Sequence, residues 1–327
     1  APILQHVDVL IIGAGLAGCS AGESLLTHNI STQIVEKSSS IGGRLANKRF
    51  GGACFDSGAQ FFTARDDQFK NFINDCINEG TVEEWYSHFP GSKDRYPRYR
   101  GIPLMNTLAK KLSKNLQIKL KKTVIRLTEK QGFWFTDLSD NTQIKSKALI
   151  LTAPAPQTLD LIQKSNIQID SSISNILASI SYESCFAIMA ILKDSSILPP
   201  PGAVSFNGQL INWISDNQQK GISKIPSVTI HANLDLDEKI NFEDKTLEKS
   251  ILNEAETHTG TKIINHQSHF WRYSKPKTTY KQRCLVGNQK TSLPPLFIAG
   301  DAMGGPRVEG AFLSGRSAAE LVIKYFN

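Results

Sequence analysis

Three glycines at fixed spacing, Gly13, Gly15 and Gly18, and one acid, Glu36, form the clearest chemical pattern in the chain. The pattern suits a dinucleotide. Gly13 permits a tight turn, Gly15 lets the backbone approach a pyrophosphate, and Gly18 lets a helix lie close to a strand. A helix starting there offers free N–H groups and a positive dipole end to the phosphates. Glu36 then accepts a hydrogen bond from a ribose hydroxyl. A second glycine-rich stretch, LFIAGDAMGGPRVEGAFLSG over 296–315, stands near the other end. No serine, cysteine and histidine constellation marks a nucleophile. His266 and His269 lie three apart in a strand-like segment, so they face opposite sides and do not share a metal ion. Cys19, Cys54, Cys76, Cys185 and Cys284 are scattered, odd in number and without a C-x-x-C. That argues against a disulfide framework, a zinc site or a dithiol centre, and for a reducing, cytoplasmic setting.

These residues need elements to hold them. VDVLII is an apolar run of strand length before Gly13, CSAGESLLTHN has helical spacing, and TQIVEK reads as a second strand ending at Glu36. PLFIAGD is a short buried-type strand ending at Gly300-Asp301, and Val308-Glu309-Gly310 opens a helix. DDQFKNFINDCINEG reads as a helix, the stretch from Gly101 as a helix and three strands, and CFAIMAIL and SVTIHANL as further strands. Pro199-Pro200-Pro201 marks a rigid turn.

The chain of 327 residues is 40% apolar and 20% charged, the composition of a globular protein. It has no apolar run of membrane-spanning length and no export signal, so no membrane partner is expected. The net charge of +7 is moderate. The densest basic patch, Lys110 to Lys122, alternates with Leu and Ile and reads as the wet face of a helix and a strand. It lacks interleaved aromatics, so nucleic acid is not an expected partner. Without a second G-x-G-x-x-G, a reductase with its own nicotinamide-nucleotide domain is also disfavoured.

Gly42-Gly43-Arg44, a few residues after Glu36, resembles the G-G-R segment of flavoproteins with a glutathione-reductase-like FAD fold, which include amine oxidases and phytoene desaturases. The resemblance implies an α/β protein. A Rossmann-type βαβ holds FAD, and a smaller α+β substrate domain is amine-oxidase-like. It also implies that Gly13, Ala14, Gly15, Ala17, Gly18, Glu36, Lys37, Gly43, Arg44, Val124 and Thr152 contact the cofactor. Asp301 matches the acid that binds the ribityl chain, and Arg307 and Val308 the helix start whose dipole favours negative charge on the reduced flavin. Glu309 is either a flavin contact or an ordinary first-turn acid. FAD is long, so both glycine-rich stretches can serve one cofactor, provided that the two chain ends share a parallel sheet. No cysteine lies in 296–315, so the expected attachment is non-covalent.

A closer resemblance follows from FDSGAQFFTARDDQFKNFI, TAPAPQ, HFWRYSKP and RVEGAFLSG. In order and over nearly the whole chain, they are similar to the renalase family, particularly its bacterial members. That resemblance implies oxidation of 2- and 6-dihydro isomers of NAD(P)H to NAD(P)+, with O2 reduced to hydrogen peroxide. Hydride transfer to a flavin needs a buried, face-on substrate rather than a catalytic triad. Ala59 and Gln60 would touch FAD, and Phe61, Phe62, Thr63, Ala64, Arg65, Trp271 and Tyr273 would line the substrate side. The residues alone leave alternatives: Phe61 and Phe62 as core, Trp271 and Tyr273 as packing against a neighbour, Arg65 as a helix cap. Amine oxidases carry a lysine where ISYESCFAIMAIL offers Ser184 or Cys185, which weakens an amine oxidase or desaturase reading. A third reading is a flavin-bound protein with little turnover. Residues 85–101 match the family poorly. The expected division is an FAD domain of 1–65, 101–155 and 288–327, with a substrate domain of 66–100 and 156–287.

Overall fold

The computed structural model describes residues 4–87, 94–235, 245–305 and 307–327. In chain order the first elements are β1 (Leu4–Ile12), α1 (Leu16–Thr27), β2 (Thr32–Val35), β3 (Asn47–Phe50), β4 (Ala53–Asp56), α2 (Asp67–Glu79), β5 (Val82–Tyr86) and β6 (Arg98–Gly101). Next come α3 (Thr107–Ser113), β7 (Gln117–Lys119), β8 (Val124–Lys130), β9 (Phe133–Leu138), β10 (Gln143–Leu151), α4 (Ala155–Lys164) and α5 (Ser171–Ser179). The rest are β11 (Tyr182–Leu192), β12 (Ala203–Ser205), β13 (Trp213–Asp216), α6 (Asn217–Lys220), β14 (Ser227–Asp235), α7 (Lys245–Thr259), β15 (Ile263–Pro276), β16 (Leu285–Val286), β17 (Leu296–Ile298) and α8 (Val308–Phe326). Among the described residues no helix is long and apolar enough to cross a membrane.

Contacts divide the chain into a first unit of 1–43, 108–181 and 276–327 and a second of 44–107 and 182–275. These joints differ from those expected from the sequence. Residues 44–65 go to the second unit because Phe50, Ala53 and Phe55 pack against Ala187, Met189 and Ile191 of β11. Residues 276–287 go to the first because β16 pairs with β17.

The first unit is built on a mixed sheet in the order β16-β17-β10-β1-β2-β7, with β9 and β8 continuing from β10. β1 runs parallel to both β10 and β2, and β10 runs parallel to β17. The two ends of the chain therefore share one parallel sheet, on either side of β10. Val9, Leu10 and Ile11 are wholly buried, as befits a parallel strand covered on both faces. The cover of Val9 and Ile11 includes Ala21 and Leu25 of α1 and Ala318, Ala319 and Val322 of α8. The two helices touch backbone to backbone: a Cβ on Gly315 would lie 2.1 Å from the Ala17 carbonyl oxygen. The stretch after α3 has four strands rather than three. β7 adds a parallel edge beside β2 before the β8-β9-β10 meander begins.

The second unit holds a five-stranded sheet in the order β12-β13-β14-β11-β15, with the small pairs β3–β4 and β5–β6. The register of β11 against β14 is antiparallel from Glu183–Asp235 to Ile191–Ser227. One face packs Ile188, Ala190, Ile214, Val228 and Ile230 with Ile251 and Ala255 of α7. α2 is stopped at both ends by local chemistry. The Asp66 carboxylate accepts from the Gln68 and Phe69 N–H groups, and Gly80 closes the other end in the left-handed conformation.

Candidate functional site

β1 leads straight into the glycine turn. Gly13 has φ 111°, and a Cβ there would meet Thr152 Oγ1 at 2.2 Å. A Cβ on Gly18 would meet the Gly13 carbonyl oxygen at 1.9 Å, so α1 starts pressed onto the turn. Gly15 differs: its Cβ would meet only Gly43 Cα, at an ordinary 3.9 Å, which leaves room above the backbone. Gly15 caps α1 with no side-chain hydrogen bond to the first-turn N–H groups. An anion-seeking helix start beside an uncrowded glycine fits a pyrophosphate. Gly42 and Gly43 complete the turn: Gly42 bridges Gly15, its N–H donates to the Ala14 carbonyl, and Gly43 has φ 54°.

Glu36 braces the same turn. Its Oε1 accepts from the Ala14 N–H at 2.9 Å and its Oε2 from the Ser38 N–H at 2.8 Å. Ala14 and Ala17 are buried, and Lys37 is exposed. Burial, and then the Glu36 charge, push the Cys19 thiol up to about 12, which makes it inert. The Thr152 hydroxyl donates to the Ile12 carbonyl at 2.7 Å and closes the turn from β10. Val124 opens β8 opposite Leu138, at a register shift.

The second glycine-rich stretch leaves the sheet at the same edge. Gly13 N–H donates to Val35, Thr152 N–H to Ile12, and Ala299 N–H to Leu151. The ends of β2, β1, β10 and β17 are thus stitched side by side, at the carboxyl edge where α/β sheets take ligands. Gly300 has φ 147°, and Asp301 opens a single 3₁₀ turn with only 7% exposure. A Cβ on Gly310 would stand 1.8 Å from the Gly305 carbonyl oxygen, so α8 too begins against its own loop. Arg307, before α8, has φ 119° and ψ 170°, a region that L side chains rarely adopt. Glu309 sits in the first turn of α8.

In the second unit, the Arg44 Nη1 donates to the Tyr273 and Ser274 carbonyls. Its own carbonyl accepts from the Ala59 N–H. Gln60 is buried: Nε2 donates to the Asp56 and Gly58 carbonyls, and Oε1 accepts from the Ser215 hydroxyl. Phe61 lies 5.5 Å from the Trp213 ring and 5.8 Å from the Arg98 guanidinium. Phe62 is core, stacked on Tyr99 and edge-on to Phe69. Thr63 is buried and Ala64 half-buried. Arg65 is exposed, 4.1 Å from the Tyr96 ring and 3.5 Å from Asp94, while the cap of α2 is Asp66. Trp271 Nε1 donates to the Ser57 carbonyl, and Tyr273 meets Tyr182 edge-on.

Ser184 and Cys185 are closed into β11. The Ser184 hydroxyl donates to the Leu234 carbonyl, and burial holds the Cys185 thiol at about 12. His266 meets Glu248 at 2.8 Å, and the His269 ring meets Trp271 edge-on.

The sequence reading missed a buried ion pair. Lys220 and Asp56, 164 residues apart, have wholly buried side chains and meet at 2.9 Å. Lys220 Nζ also donates to the Gln60 carbonyl at 2.5 Å and lies 4.7 Å from the Trp85 ring centre. Asp56 Oδ1 accepts from the Met105 N–H. Burial pulls the Lys220 ammonium below its ordinary range, and Asp56 opposes that shift. His231 lies beside the pair. Burial, with the Lys220 charge against it, lowers it to about 4, so it is neutral and donates from Nε2 to the Ser57 carbonyl at 3.3 Å. The sequence held one clue: SDNQQKG places Lys220 between a capping Asp216 and the left-handed Gly221.

Residues 11–76 match the NAD(P)-binding Rossmann-like domain, and residues 81–323 match the flavin containing amine oxidoreductase family. Mouse (Mus musculus) renalase is 24% identical, over 97% of this chain and 99% of that protein. Among solved structures, cyclohexylamine oxidase from Brevibacterium oxydans superposes with a TM-score of 0.73 at 12% identity, covering 98% of this chain and 99% of the other. A fatty acid isomerase from P. acnes does so with a TM-score of 0.69 at 11% identity, over 98% and 99%. Likeness at that level carries the fold alone, and an oxidase and an isomerase share it. The glycine turn, the Gly300-Asp301 edge beside it and the match over most of the chain agree: this protein is a flavin oxidoreductase, renalase-like along its length, and belongs to the flavin containing amine oxidoreductase family.

Proposed function

We propose that the chain binds FAD without a covalent bond and oxidises 2- and 6-dihydro isomers of NAD(P)H to NAD(P)+, in a reducing, cytoplasmic compartment. The likeness to renalase across both units carries the reading. The presence of Ser184 or Cys185 where amine oxidases carry a lysine supports it over amine oxidation. Bound FAD supplies the two-electron acceptor: the dihydronicotinamide gives up a hydride, and O2 takes the two electrons with two protons as hydrogen peroxide.

The protein's own tasks are binding, orientation and exclusion of water. Gly13, Gly15 and Gly18 with the N-terminus of α1 take the pyrophosphate, helped by Ala14, Ala17, Gly43 and Arg44. Glu36, Lys37, Val124 and Thr152 take the adenosine side. Asp301 takes the ribityl chain, and the α8 start at Arg307-Val308 favours negative charge at the flavin. Ala59 and Gln60 contact the cofactor. Both Gln60 amide N–H groups donate within the protein, so the amide offers a ligand no donor. Phe61, Thr63, Ala64, Arg65, Trp271 and Tyr273 contact the substrate. Phe62 supports them from the core.

Anaerobic mixing tests this. Purified oxidised protein is mixed with each dihydronicotinamide isomer, with NADH and with simple amines, and the visible flavin band is followed. Rapid bleaching by the isomers, with peroxide formed on admitting O2, is the expected result. Bleaching by an amine and not by the isomers overturns the substrate, and no bleaching by any of them favours a binding role.

A further inference from the structure

Four residues, Ser57 to Gln60, are held in an unusual way. Ordinary turns are fixed by backbone hydrogen bonds. Here the Ser57 and Ala59 N–H groups are tied to the Ala46 and Arg44 carbonyls, and side chains from four further elements take the segment's oxygens and the carbonyl at its border. Thr229 of β14 donates to the Asp56 carbonyl at 3.1 Å. Trp271 of β15 and His231 of β14 donate to the Ser57 carbonyl at 3.2 and 3.3 Å. Lys220 of α6 donates to the Gln60 carbonyl, and Ser215 of β13 to the Gln60 amide oxygen. A peptide is planar, so fixing its carbonyl also fixes the following N–H. The segment is therefore set in position and in rotation.

Lys220 is the centre of this arrangement. Its ammonium joins the side chain of Asp56, before the segment, to the carbonyl of Gln60, which ends it. A buried pair of this kind is a poor source of stability, since desolvating both charges offsets most of their attraction. Geometry is the better account of why it is there. We propose that Lys220 is a positioning residue: through Asp56 and the Gln60 carbonyl it sets where Gly58-Ala59-Gln60 stands against the flavin. The proposal rests on the assigned contact of Ala59 and Gln60 with FAD.

The test uses the full chain purified with its flavin. Lys220→Met/Asp56→Asn removes both charges together, so no lone buried charge remains. Flavin content and melting temperature are expected to stay near wild type. The visible band and the midpoint potential of the bound flavin shift. The limiting rate of anaerobic reduction by a dihydronicotinamide isomer falls roughly tenfold or more, with little change in the half-saturating concentration. A folded double variant with wild-type spectrum, potential and rate overturns the proposal, because a purely structural pair would give that result. Should the double variant not fold, Thr229→Val loosens the same segment without touching a charge. A severalfold loss of rate with a shifted band is then expected, and an unchanged rate and band overturn the proposal. If the isomers fail to reduce even the wild type, the substrate reading falls, and the spectrum and potential of the variants still decide the role of Lys220.

Discussion

The glycine turn of the first unit and the Asp56–Gln60 segment of the second solve similar problems by opposite means. The turn is shaped by what is missing. Gly13 sits at a φ that side chains resist, and Gly18 sits where a Cβ would strike a carbonyl oxygen. The second segment is shaped by what is added: a buried cation, a neutral imidazole, an indole and two hydroxyls, each reaching in from elsewhere. One is a backbone site with no room for a side chain at Gly13 or Gly18, and the other a backbone site whose oxygens are held by side chains. Additions should therefore damage the first and deletions the second.

Four measurements break or sharpen this contrast. The largest effect is expected from Lys220→Met, which leaves the Asp56 carboxylate buried without its cation. It should cost about 3–5 kcal/mol in urea unfolding, and a loss below about 1 kcal/mol would show that the second segment does not depend on its pins. Next comes Gly18→Ala, whose new methyl meets the Gly13 carbonyl oxygen at 1.9 Å. Strain of about 2 kcal/mol should weaken FAD roughly thirtyfold in a titration of the apoprotein. Glu36→Gln keeps the shape and removes the charge that accepts from the Ala14 and Ser38 N–H groups. About 1.5 kcal/mol, roughly a tenfold weaker FAD affinity, is expected; an unaltered affinity would leave the turn to its glycines alone.

The smallest effect concerns His231. Its ordinary value of 6.5 is lowered to about 4 in the folded chain, so the unfolded chain binds more protons between those values. Its contribution to stability is complete above pH 6.5 and is lost as pH falls through 4. Melting temperatures should drop by a few degrees more in the wild type than in His231→Gln over that interval, and parallel curves would remove His231 from the set of pins.

The same contrast explains what could be read in advance. The βαβ unit and the C-terminal strand and helix, which share one sheet, were legible because each signal is local. A glycine forced by φ or by close approach leaves a mark within a few residues. Asp56 and Lys220 leave no such mark, since the partner lies 164 residues away and nothing periodic joins them. Phe62 shows the limit from the other side. FFTAR gives two adjacent aromatics, and only the packing of Tyr99 and Phe69 assigns Phe62 to the core while Phe61 meets Trp213. The unit boundaries failed for the same reason: Phe55 joins β11 through contacts that no neighbouring residue announces.

The neighbours of β10 have a consequence for synthesis. β1 gains β2 on one side by Val35, yet the strand on its other side ends only at Leu151, and the strand beyond that only at Ile298. A chain that stops before then leaves Leu149–Leu151 of β10 without its parallel neighbour, an open sheet edge. The carboxyl edge of this sheet is thus complete only when Leu296–Ile298 has joined β10.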